Sequence, residues 1–140
     1  MTVTSTKHTA YLAVHNDLKV KIANVILVHV RGIKDDPPPT REEKSWSAIA
    51  AGTHTADSLE AHYMEPTVGD QWVITFDVPG VGSFHSDPAH WDLLKKDDGS
   101  KSDYVRIYED KAGARVMAVH RSDPGAHNEY DSPSVPIHKK

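Results

Sequence analysis

The stretch "DQWVITFDV", Asp70 to Val78, alternates apolar and other side chains with a period of two. Trp72, Ile74, Phe76 and Val78 share one face, and Gln71, Val73, Thr75 and Asp77 share the other. A pleated strand sends successive side chains to opposite faces, so this stretch predicts a strand with one buried side. The turn residues "PGVGS" (79–83) follow directly and end it.

The same period recurs on both sides of this stretch. Tyr11, Ala13 and His15 alternate with Leu12 and Val14. Val20 and Ile22 oppose Lys19 and Lys21, after which Asn24 interrupts the phase before "VILVHV" (25–30). That apolar run predicts a strand buried on both faces, or a bulge that restarts the alternation. Trp46 and Ile49 mark a short strand, and Leu59, Ala61 and Tyr63 mark another. "DYVRIYED" and "GARVMAVHR" predict a hairpin turning at "DKAG". "KDDPPPTREEK" (34–44) reads as a surface loop, because its prolines cannot donate to a ladder and its charges favour water.

These signals predict an all-β chain, a single-domain antiparallel β-sandwich of about seven to nine strands over residues 1–121. Residues 122–140, proline-containing and poor in apolar surface, are expected as a mobile or draped tail.

Composition narrows the function classes. The 140 residues include 16 Lys+Arg and 20 Asp+Glu, for a formal charge of -4. This balance lacks the basic stripe that a nucleic-acid binder needs. No apolar run approaches the roughly 20 residues of a membrane-spanning helix. The amino-terminal residues do not form a signal-peptide pattern, so the expected location is the cytoplasm, or outside the cell by another route. Cysteine is absent, which excludes disulfides and zinc-thiolate sites. Ten histidines make the charge sensitive to pH between roughly 5 and 8.

Two segments share histidine-flanked Ser-Asp-Pro: "FHSDPAHW" (84–91) and "HRSDPGAH" (120–127). Asp before Pro favours a turn or a helix start, so Asp87 is expected to cap a turn or a short helix near 88–95. Trp91 and Leu94 would then point inward. In extended form, His85 and Asp87 would share a face, and with His120 they would supply the His-x-Asp…His set that holds non-haem iron. This trio is also the candidate catalytic set of a small His/Asp-dependent enzyme. The turn is the favoured reading, and neither a cofactor nor a metal is expected. Asp97, Asp98 and Asp103 around Gly99 lack the ligand spacing of a calcium loop, so a solvated turn is expected there.

Ile22, Asn24 and Leu27, within "AYLAVHNDLKVKIANVILVHVRGIK", resemble the "I-x-N-x-x-L" strand of aegerolysins, small cysteine-free β-sandwich proteins of fungi and bacteria. The resemblance implies a sandwich fold and lipid recognition, with pore formation alongside a partner protein in some members. The expected function is non-enzymatic binding of a glycan or lipid head group through loops at one end. Asp87, His90 and Trp91 are its candidate binding residues, and a homo-oligomer is a possible assembly. The alternative is the small His/Asp enzyme.

Overall fold

The computed structural model describes residues 6–31, 40–65, 70–91, 102–121 and 132–140. Its strands are β1 (Thr6–Asn16), β2 (Ile22–Arg31), β3 (Thr40–Ile49), β4 (Thr53–His54), β5 (Leu59–Glu65), β6 (Gln71–Val78), β7 (Gly82–Ser86), β8 (Ala89–His90), β9 (Ser102–Glu109), β10 (Arg115–Arg121) and β11 (Val135–Lys139). The all-β expectation holds. Among the described residues there is no helix, and none long and apolar enough to cross a membrane.

One sheet runs β3-β2-β6-β7-β11-β10-β9-β1, with β5 and the short β4 on the far edge of β1. The pairing is antiparallel except between β1 and β9, which run parallel from Tyr11/Ser102 to Asn16/Ile107. The end strands β3 and β5 come to face each other, so the sheet curls into a nearly closed barrel rather than two clearly separate layers. Curling protects the edge strands that an open sheet would expose. The expected sandwich is thus corrected to a barrel-like sheet, whose eleven strands among the described residues include two of only two residues.

The quoted stretch became β6, with alternate residues buried as its period requires. Trp72, Ile74, Phe76 and Val78 enter a core with Leu12, Val14, Leu27, Val105, Ile107 and Met117. Burying one such side chain contributes about 1.5–3 kcal/mol. In β2 the phase break is a bulge: the pairing with β6 shifts register between Ala23 and Ile26, and Asn24 has φ 49°. Asn tolerates this left-handed conformation better than most residues. Its Nδ2 donates to Asp77 Oδ2 at 2.7 Å, tying the bulge to β6. Before the bulge Ile22 faces inward; after it Val25, Leu27 and His29 do. The bulge therefore decides that a histidine enters the core.

The β9–β10 hairpin forms as expected, with Asp110 Oδ1 accepting from the N–H groups of Ala112 and Ala114. Three other expectations need correction. Residues 40–44 of the expected loop belong to β3, where Glu42 pairs across from His29 and Lys44 from Leu27; residues 34–39 lie outside the described ones. No helix begins at Pro88. Ala89 and His90 pair with Trp72 and Gln71, because Ala89 and Trp91 gain more by entering the core than a helix turn would return; residues 92–95 are outside the described set. Of the expected tail, 122–131 also lie outside it, but 135–139 form β11 between β10 and β7. Val135 and Ile137 pack against the core, while the carbonyl of Pro136 accepts the N–H of Asp87 at 3.0 Å.

Buried polar groups join the elements. Asn16 donates through Nδ2 to the carbonyls of Val20 and Ile49, and its Oδ1 accepts from the Leu18 N–H. Ser86 Oγ accepts from the N–H of Ile74 and Ser132 Oγ from that of Val119, each replacing a ladder partner.

Candidate functional sites

Two groups of histidines are linked side chain to side chain. The first lies at the seam between β3 and β5, where no backbone ladder joins the two strands among the described residues. Side chains bridge it instead. His29 is fully buried, stacked on Trp72 with ring centroids 4.3 Å apart. Its Nε2 lies 2.6 Å from Asp70 Oδ1 and its Nδ1 3.1 Å from Glu42 Oε1. Glu42 Oε1 also accepts the backbone N–H of His62 at 2.8 Å, and Glu42 Oε2 bonds His62 Nδ1. The chain of contacts runs Asp70, His29, Glu42, His62, from the buried core to a ring about 32% exposed.

A carboxylate only accepts, so each contact in this chain requires a proton on the histidine side or on the acid. Burial works against charge on Glu42. The His62 backbone N–H, the His62 ring and the His29 ring outweigh it and hold the carboxyl below its usual range. Beside it, Lys44 Nζ lies 3.1 Å from Asp57 Oδ2, and Trp46 Nε1 donates to Asp57 Oδ1 at 2.7 Å. A hollow of about 410 Å³ opens here, bordered by Glu42, Lys44, Ser58, Glu60 and His62.

The second group lies on the outer face of β4, β1, β9 and β10. His54 stacks on His15, His15 on Tyr104, and Tyr104 on His120, with centroids 5.1, 4.0 and 5.2 Å apart. The parallel pairing of β1 with β9 sets this row, because Tyr104 is the register neighbour of Ala13 and adjoins His15. Burial lowers the pKa of His15, and the charges of His54, His120 and Arg106 add to the effect against the pull of Asp17. A hollow of about 240 Å³ beside the row is lined by Tyr11, His15, His54, Ser58, Asp103 and Tyr104. Tyr11 is half exposed there. Ser58 borders both hollows.

The residues singled out from sequence are dispersed. His85 lies on β7 beside His138, with ring centroids 5.6 Å apart, and Asp87 Oδ1 is 3.0 Å from His138 Nε2. His120 stands in the outer row on β10, separated from β7 by β11. Among the described residues no three His, Asp or Glu side chains are grouped to hold a metal. His90 is exposed, whereas Trp91 is buried and its carbonyl accepts from Trp72 Nε1 at 2.9 Å. Trp91 is therefore a core side chain. The second Ser-Asp-Pro copy, at 122–124, and Asp97, Asp98 and Gly99 lie outside the described residues, while Asp103 is buried on β9.

Sequence reasoning missed His29, Glu42, His62 and Asp70. One signal was available: a histidine inside "VILVHV" must find polar partners if that strand is buried. Which partners it finds depends on residues 13 and 41 positions away in the chain. No family model and no curated protein matches this chain.

Proposed function

We propose that the protein binds a glycan in the hollow lined by Tyr11, His15 and Tyr104. The carrying observation is a half-exposed Tyr11 beside a stacked His15–Tyr104 pair, with Ser58 bordering the same hollow. Sugar rings offer apolar C–H faces that settle on aromatic planes, and hydroxyls that need donors and acceptors at the rim; this hollow supplies both. The rings of Tyr11, His15 and Tyr104 project from strands β1 and β9, so they are held in place before a ligand arrives. A lipid head group, the ligand class implied by the resemblance to aegerolysins, presents a polar surface without such a face and suits the hollow less well.

Glycan-array binding and liposome sedimentation test this reading. Glycan binding is expected, weakened about tenfold or more by Tyr104→Ala. Binding to vesicles alone, or to neither, overturns it. The seam network favours a second reading, an enzyme with histidine and carboxylate groups, through residues other than His85, Asp87 and His120.

A further inference from the structure

We propose that His62 is the general base of a hydrolytic site at the β3–β5 seam, acting on small carboxylic esters. This site shares Ser58 with the glycan hollow, but the proposal does not depend on glycan binding. Glu42 holds Nδ1 of His62, and Glu42 is itself fixed by the His62 backbone N–H and by His29, which Asp70 anchors from behind. With its Nδ1 proton turned to Glu42, a neutral His62 carries its lone pair on Nε2. Among the described residues Nε2 has no hydrogen-bond partner, and the ring borders the open hollow. A fixed tautomer, a fixed ring and a carboxylate that stabilises the imidazolium are what a histidine base requires.

Seam closure alone needs less. Lys44, Trp46 and Asp57 already bridge the region with exposed groups, whereas Glu42 is backed by a buried histidine and a buried aspartate. The hollow has room for a small molecule, and the Ser58 hydroxyl and Lys44 ammonium on its wall are donors suited to a carbonyl oxygen that gains negative charge.

In the step, Nε2 takes a proton from water as the water oxygen attacks the ester carbonyl carbon. The tetrahedral intermediate collapses, its bond to the alkoxy oxygen breaks, and the His62 imidazolium returns the proton to that leaving oxygen. A carboxylic acid and an alcohol result, and the histidine is regenerated. Here His62 is the catalytic residue, while Glu42 and His29 are positioning residues.

The test is hydrolysis of p-nitrophenyl acetate by the untagged full chain, set against free imidazole at equal concentration. A rate about 100-fold above imidazole is expected. His62→Gln should bring it to the imidazole level, and His138→Gln should leave it unchanged. Glu42→Gln should lower kcat more than it changes KM and should displace the pH profile. A wild-type rate no greater than imidazole's overturns the proposal, as does an unchanged rate in a folded His62→Gln chain. Diethyl pyrocarbonate labelling of the wild-type chain needs no variant: His62 should be modified faster than His138, and slower modification counts against the site.

Discussion

The barrel uses histidine in two contrasting rows. At the seam His29 and His62 are joined through carboxylates, and the inner member is sealed from solvent. On the outer face His15, His54 and His120 are joined through stacked rings with Tyr104, at the edge of solvent. The residue type is the same, so the neighbours set the role. Paired hydrogen bonds to carboxylates make the inner row hard to dismantle, because removing one partner leaves a buried polar group unsatisfied. Burial, with the nearby His54, His120 and Arg106, favours the neutral ring of His15, which makes that ring sensitive to acid.

The largest expected effect tests the inner row. His29→Ala should cost about 3–5 kcal/mol in denaturant unfolding, since Asp70 and Glu42 lose a buried partner and Trp72 loses its stacked ring. His54→Ala, on the exposed end of the outer row, should stay within about 0.5 kcal/mol. Equal costs would erase the contrast. Phe76→Ala provides a scale without charge: Phe76 is buried and stacked on Phe84, and its loss should also cost about 3–5 kcal/mol. A value below about 1 kcal/mol would show that this face of β6 is not the core.

Acid titration separates the rows further. His15 has a lowered pKa in the folded chain, so the unfolded chain takes up that proton first and stability falls as pH drops below the ordinary histidine value of about 6.5. Glu42 also has a lowered folded pKa. Its contribution is present above the ordinary glutamate value of about 4.3 and is lost as pH falls through its folded value. Unfolding measured from pH 8 to 3 should therefore weaken in two stages. His15→Gln should flatten the first and Glu42→Gln the second. A variant that flattens the other's stage would show the assignments reversed.

The smallest effect concerns Asp87. Its carboxylate pairs with His138, both about half exposed, while its backbone N–H is held by Pro136. Asp87→Ala should cost less than about 1 kcal/mol, and Asp87→Asn no more. A larger loss would show that this exposed pair behaves like the inner row.

Local pattern was enough to reveal most of the longer strands, the buried face of β6, the phase break at Asn24 and the β9–β10 turn. These follow from side-chain alternation and turn chemistry, which act over a few residues. The same local rules misread Pro88 as a helix start and residues 135–139 as part of a tail, because pairing with distant strands outweighed them. Closure of the sheet was decided only in three dimensions. So was the meeting of Asp70, His29, Glu42 and His62, which four separate segments bring to one seam. A histidine's spacing in sequence says which face it occupies; its charge and reactivity come from whatever the register places beside it.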